Sequence, residues 1–182
     1  PAVSHYRLAA HLSLAFVIFC ALIVTALSIL KIPRAAHTGL FNHGVITIGI
    51  LAVTIFWGAY VAGLDAGLVY NEFPLMGGAF VPPDFHQYNP YWINIFENHS
   101  AVQFTHRWLG MAAGAFILFF VWRAGSMGVF PVLALSIGGV VLLQILLGIT
   151  TLLSHVWIPL AALHQAGAVT LLALLVVFTY RV

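Results

Sequence analysis

The chain has 182 residues, of which 63% are hydrophobic and only 5% are charged. Because soluble domains usually carry roughly 25% charged residues, this composition excludes a soluble enzyme and a disordered chain. The six Lys and Arg residues form no basic cluster that could bind nucleic acid. An integral protein of the lipid bilayer remains. Its nine histidines need an explanation, since histidine has no ordinary role in a lipid-facing helix.

Five segments hold the roughly 20 apolar residues that a membrane-spanning helix needs. They cover about residues 8–30 (span A), 43–64 (span B), 102–122 (span C), 132–153 (span D) and 160–180 (span E). We predict helices because backbone polar groups in lipid must be paired within the segment. The runs are continuously apolar and lack the short alternating pattern of a membrane β-barrel. The predicted fold class is therefore all-α, a polytopic membrane protein with five transmembrane helices.

One connection, residues 65–101, is much longer than the others and contains four prolines. Within it, Asn89 and Pro90 resemble a helix N-cap followed by proline at the first helical position. Trp92, Ile95 and Phe96 then follow at helical spacing. This pattern indicates a short helix on the membrane surface, with an irregular loop carrying aromatic anchors as the alternative.

The charged residues predict the orientation of the chain. The side of the long loop is called X here, and the opposite side Y. All four acidic residues lie on X, and four of the six basic residues lie on Y: Lys31, Arg34, Arg123 and Arg181. Because basic residues favour the inner side of a membrane, Y is expected to face the cytoplasm or matrix. Loop 65–101 is then expected on the periplasmic or intermembrane-space side.

Three histidines lie at matched depth in different spans. His11, His106 and His164 each lie about one turn inside a span, counted from X. A single histidine at such a position is usually an interfacial or hydrogen-bonded residue, but three at one depth favour ligation of a metal or a haem iron. Zinc and di-iron sites usually also recruit cysteine or carboxylates. Imidazole-only ligation therefore favours b-type haem.

Residues beside these histidines have two interpretations each. Gly110 and Gly167 lie one turn or less beyond His106 and His164, where they either leave room for a flat macrocycle or serve ordinary helix packing. Arg107 either pairs with haem propionates or is an interfacial arginine that extends its head group to water.

Several segments together resemble the haem A synthase family. They are YRLAAHL at 6–12, GLDAGLVYNEFPLM at 63–76, FEN at 96–98, VQFTHR at 102–107, LGITTLL at 147–153 and PLAALHQAG at 159–167. The resemblance covers essentially the whole chain, and the combination of segments carries it.

The resemblance implies an organisation in two parts. Family members have eight helices in two four-helix halves, each with a histidine pair on the outer side. Residues 36–182 would form the second half, a four-helix haem-binding bundle with His106 and His164 as axial ligands of haem b, and with Arg107, Gly110 and Gly167 beside the cofactor. Residues 1–35 would be one extra helix, the last of the first half, with His11 as the catalytic histidine on the iron of the substrate, haem O.

The implied activity is oxidation of the C8 methyl group of haem O to a formyl group, which makes haem A for cytochrome oxidase. The chain would work in a bacterial plasma membrane or a mitochondrial inner membrane. Because the family's first three helices are not in this sequence, we expect an incomplete active site that takes those helices in cis or from another chain. Implied partners are the lipid bilayer, a haem O synthase, an electron-transfer protein and further copies of the chain.

Two other classes of membrane protein also bear histidines within their helices. A b-type cytochrome subunit that exchanges electrons with quinone usually places haems in both leaflets, which does not match three histidines that all lie toward X. A transporter with histidines as proton relays predicts discontinuous helices and no haem spectrum.

Overall fold

The computed structural model describes residues 4–182, which form five long helices and a folded loop. The long helices are α1 (His5–Ile29), α2 (Thr38–Gly63), α4 (His99–Ser126), α5 (Pro131–Leu153) and α6 (Ile158–Arg181), and α3 (Asn94–Glu97) is a single turn in the loop. Each long helix is long and apolar enough to cross a membrane. The predicted all-α class with five spans is therefore confirmed.

Four of the long helices form a bundle and the fifth packs outside it. Around the bundle, α2 contacts α4, α4 contacts α5, α5 contacts α6, and α6 contacts α2. Helix α1 contacts the outer sides of α2 and α6. The arrangement is a four-helix bundle plus one extra helix, as expected from the sequence.

The helices begin earlier than the apolar runs because their first turns carry polar and cyclic residues. Helix α4 begins one turn ahead of span C, where the Asn98 side chain accepts a hydrogen bond from the Ser100 N–H at 2.9 Å. Helices α5 and α6 have proline in the first turn, where its missing N–H costs no helical hydrogen bond.

The larger of two apolar clusters lies in the Y half of the bundle. Its largest fully buried members include Leu40, Ile117, Phe120, Ile137, Leu171, Leu175 and Phe178. In α6 every buried residue lies between Leu171 and Thr179, beyond the turn that carries His164. Large apolar side chains therefore fill the Y half, and the histidine level lies toward X from this core.

Loop 64–98 contains the predicted short helix. A 3-10 turn at Tyr91–Ile93 continues into α3, and Tyr91 and Trp92 are 66% and 63% exposed. The predicted cap was wrong, because Pro90 itself occupies the cap position and no side chain caps the turn. The helical spacing of Trp92, Ile95 and Phe96 was therefore a better guide than the Asn-Pro pair.

Asp84 ties this loop to the first turn of α4. Its carboxylate accepts hydrogen bonds from the Tyr70 hydroxyl at 2.7 Å and the Ser100 hydroxyl at 2.5 Å. The side-chain amide of Asn98 donates to the Asp84 carbonyl at 2.7 Å. The loop is thereby fixed over the X end of α4.

We expect the stability of the loop to depend on the charge of Asp84. Burial alone would raise the pKa of this carboxyl, but the hydrogen bonds from Ser100 and Tyr70 outweigh burial and hold its pKa below the usual range. The stabilisation is fully present above the ordinary aspartate pKa of about 3.9 and is lost as pH falls through the lowered value. The protection of residues 70–98 against hydrogen exchange should fall as the pH drops through this range. The same protection should fall in Asp84→Asn at neutral pH.

Asp65→Asn provides a matched control, because Asp65 is an exposed acid in the same loop. Equal protection of residues 70–98 in the two variants would contradict the role given to Asp84.

Helix α1 is attached to the bundle at both ends. At X the Tyr6 hydroxyl donates to the Glu97 carboxylate, and α1 crosses α2 so closely that a Cβ on Gly63 would lie 2.8 Å from the His5 Cα. At Y the Tyr180 hydroxyl donates to the Ser28 hydroxyl at 3.2 Å. These contacts fix which face of α1 turns toward the bundle.

Candidate functional site

His106 lies on α4 with its ring held against α2. Its Nδ1 is 3.1 Å from the Thr54 carbonyl oxygen. A carbonyl only accepts hydrogen bonds, so this contact assigns the proton to Nδ1 and leaves the Nε2 lone pair free. That tautomer is the one in which a histidine ligates through Nε2 while its other ring nitrogen is oriented by a hydrogen bond.

His164 lies on α6 with its ring held against α5. A Cβ placed on Gly148 would be 3.0 Å from the His164 Cε1. The Gln144 side-chain amide donates to the His164 backbone carbonyl at 2.7 Å. The His164 Nδ1 is buried and has no hydrogen-bond partner among residues 4–182. A buried ring nitrogen without a partner is uncommon in folded proteins and suggests a functional role.

The two imidazoles come from helices on opposite sides of the four-helix bundle, since α4 and α6 each contact both α2 and α5. No group of three His, Cys, Asp or Glu side chains in the described part of the chain could hold a metal ion. A two-imidazole set therefore fits a macrocycle that supplies its own equatorial ligands better than it fits zinc or di-iron.

Small residues of the neighbouring helices lie against both imidazole rings. Glycines face both rings, Gly58 on α2 and Gly148 on α5. The structure also has surface cavities of about 420 Å³ beside Gln87–Asn89 and about 440 Å³ beside Arg181. Neither is lined by His106 or His164, so the two imidazole donors carry the interpretation as a haem site.

Arg107 holds the loop at the X end of this site. Its guanidinium donates to the carbonyls of Tyr70 at 2.7 Å, Glu72 at 2.9 Å and Leu75 at 3.3 Å. Gln103, one turn before His106, donates to the same Tyr70 carbonyl at 3.0 Å. Arg107 is thus at the predicted depth and bound to the loop, and its pairing with propionates stays a prediction.

The two predicted cofactor glycines face neighbouring helices. A Cβ on Gly110 would lie 4.0 Å from the Thr54 methyl group, which leaves space on the His106 side of α4. A Cβ on Gly167 would clash with the Gln144 side-chain oxygen, so Gly167 makes room for that amide. Gly114 packs closely on Ile145. Packing accounts for Gly114, and the cofactor roles of Gly110 and Gly167 stay predictions.

His11 is not brought to the other two histidines. It is exposed on the outer face of α1, beside Leu14, Val17 and Ile18, which are 60%, 65% and 51% exposed. His43, at the Y end, is buried among Phe116, Phe119 and Phe120, and its Nδ1 is 3.5 Å from the Arg123 guanidinium. Among these described histidines, His106 and His164 lie on opposite helices of the bundle, and His11 lies outside the bundle.

The sequence interpretation gave no site role to the residues on α2 and α5 that contact His106 and His164. Thr54 and Gly58 on α2, and Gln144 and Gly148 on α5, are each four residues apart. Thr54 contacts the His106 ring through its backbone carbonyl, so its residue type gives no signal for this contact.

The chain matches, over residues 1–176, the protein family described as COX15-CtaA, cytochrome oxidase assembly protein. It is 46% identical over 180 residues to a protein named heme A synthase from Rhodospirillum centenum, covering 96% of this chain and 48% of that protein. It is 44% identical over 188 residues to the human protein named heme A synthase COX15, covering 94% and 44%.

A third relative, named heme A synthase, from Parvibaculum lavamentivorans, is 42% identical over 190 residues, with 98% of this chain and 52% of that protein covered. The chain spans about half the length of the curated relatives it matches. No solved structure matches the chain.

Proposed function

Because this chain belongs to the COX15-CtaA family of cytochrome oxidase assembly proteins, we propose that it provides the haem b-binding part of a haem A synthase. The observation that carries the proposal is that His106 and His164 lie on opposite helices of the bundle, each with a glycine of the neighbouring helix against its ring. Relatives named heme A synthase match nearly the whole chain and support this assignment.

In this proposal the chain's own residues hold and orient haem b. His106 and His164 would hold the haem through their imidazoles, and the Thr54 carbonyl fixes the tautomer of His106. Arg107 and Gln103 anchor the loop at the Tyr70 carbonyl and thereby cover the X end of the site. Haem b supplies one-electron chemistry when it is bound.

The substrate side belongs to α1 in this proposal. His11 would bind the iron of haem O on the outer face of α1. The remaining ligands would come from the three first-half helices that the family resemblance implies. The reaction would convert the C8 methyl of haem O to a formyl group by successive hydroxylation. The four basic residues on Y favour a Y side facing the cytoplasm or matrix, with haem O synthase, an electron-transfer protein and further copies of the chain as partners.

The absorption spectrum of the purified chain tests the haem b assignment. After expression with an adequate haem supply, we expect low-spin b-type bands that sharpen on reduction, because two imidazoles give a six-coordinate iron. Extraction with acidified solvent should release the haem, because covalent attachment would need a cysteine near the site. The described cysteine, Cys20, lies far along α1 from the level of the histidines. A chain purified in folded form without haem would contradict the proposal.

A further inference from the structure

Two glycines make the same contact with the two histidine rings. A Cβ on Gly58 would lie 3.0 Å from Cε1 of His106, 3.6 Å from Nδ1 and 3.7 Å from Nε2. A Cβ on Gly148 would lie 3.0, 3.5 and 3.6 Å from the same atoms of His164. Each ring thus presents its Cε1 edge to a glycine of the neighbouring helix. Gly58 and Gly148 are called the contact glycines below.

The rings, and not the helix backbones, require glycine at these positions. The three atoms nearest to each added Cβ all belong to the facing imidazole. Other glycines of the bundle differ, since Gly63 faces the backbone of His5 and Gly114 faces the side chain of Ile145. Close helix packing explains Gly63 and Gly114, but it does not explain the contact glycines.

A polar residue four positions before each contact glycine makes a second contact with the same histidine. On α2 the Thr54 carbonyl takes the Nδ1 hydrogen bond of His106. On α5 the Gln144 amide donates to the backbone carbonyl of His164. The helix pairs α2/α4 and α5/α6 therefore share the glycine contact and differ in the second contact, which holds the ring in the first pair and the backbone in the second.

We infer that Gly58 and Gly148 are positioning residues that set the location and rotation of the two axial imidazoles on the haem iron. This inference rests on the proposed haem b site. Neither glycine ligates the iron; each leaves just enough space for the Cε1 edge of the facing ring. A methyl group at either position would displace the ring by a few tenths of an ångström, and a branched side chain would displace it further.

The test uses a graded series at each position in the purified full chain. Gly58→Ala and Gly148→Ala introduce one methyl group, and Gly58→Val and Gly148→Val introduce a branched side chain. Gly49 on α2 and Gly139 on α5 provide matched controls, because a Cβ at either position meets nothing within 4 Å. The four positions receive the same substitutions, so helix propensity changes equally.

The readouts report ligand geometry directly. We expect the alanine variants to shift the low-spin electron paramagnetic resonance signal and to release haem about tenfold faster, the lower end of the loss typical of outer-shell changes. We expect the valine variants to contain five-coordinate haem that binds carbon monoxide. The control variants should retain the parent signal, release rate and resistance to carbon monoxide.

The outcomes separate this inference from the proposed function. If the parent chain binds haem through His106 and His164, but variants at 58 and 148 behave like those at 49 and 139, the inference is wrong and the proposed function stands. If the folded parent chain binds no haem, the proposed function fails and the inference fails with it. If the valine variants do not fold, the alanine variants, checked by circular dichroism, decide the result.

Discussion

Replacement of either His106 or His164 by alanine should abolish the low-spin b-type spectrum of the chain. Each histidine would supply one of only two protein ligands, and a six-coordinate low-spin iron needs both. Each imidazole is held by a glycine of the neighbouring helix, Gly58 for His106 and Gly148 for His164. The measurement is the reduced-minus-oxidised absorption spectrum of each purified variant, with haem content determined separately.

Two other histidines provide controls for this experiment. His99 is exposed two turns before His106 on α4, so His99→Ala tests whether any histidine on this helix affects the spectrum. His43 is buried in the Y half, so His43→Ala tests the effect of removing a buried imidazole from the bundle. Both variants should retain the b-type bands. A full low-spin signal in His106→Ala or His164→Ala would eliminate that residue as a ligand.

The depth of the histidines could be predicted from the sequence, because a helix rises a constant amount, about 1.5 Å per residue. Apolar run length alone located all five helices, since a chain in lipid has no alternative partners for its backbone groups. For these two reasons the fold class and the common level of His106 and His164 could be predicted without the structure.

The direction in which a side chain points could not be predicted in the same way. His11 lies at the same depth as the other two histidines, yet it faces outward, because the contacts of His5 and Tyr6 with α2 and α3 fix the rotation of α1. Rotation depends on packing between helices, and the weakly amphipathic pattern of a membrane helix does not encode it strongly. Depth therefore suggested three comparable histidines. Of these, only His106 and His164 lie on helices of the four-helix bundle.

Hydrogen bonds from side chains to backbone carbonyls also could not be predicted from the sequence. Arg107 donates to the carbonyls of Tyr70, Glu72 and Leu75, and His106 donates to the carbonyl of Thr54. Every residue has a carbonyl, so an acceptor of this kind leaves no signature in the residue types. The sequence identified Arg107 as a significant cation at the correct depth, and the structure was needed to find what it binds.

Because His11 faces outward on α1, its replacement should have a large effect on haem A formation. Expression of this chain together with the complementary N-terminal half of the Rhodospirillum centenum relative should produce haem A, and His11→Ala should abolish it. The reason is that His11 would bind the substrate iron at the face of α1 that turns away from the bundle. The measurement is chromatographic separation of haems O and A extracted from the membranes.

His11→Ala should also leave the b-type spectrum of the chain intact, because His11 contacts neither His106 nor His164. This second measurement distinguishes a lost substrate ligand from a disrupted bundle. His86→Ala, which removes an exposed histidine of the X-side loop, should retain both haem A formation and haem b. Undiminished haem A in His11→Ala would show that the outer face of α1 does not bind the substrate iron. Loss of haem b in the same variant would show that α1 acts by supporting the bundle.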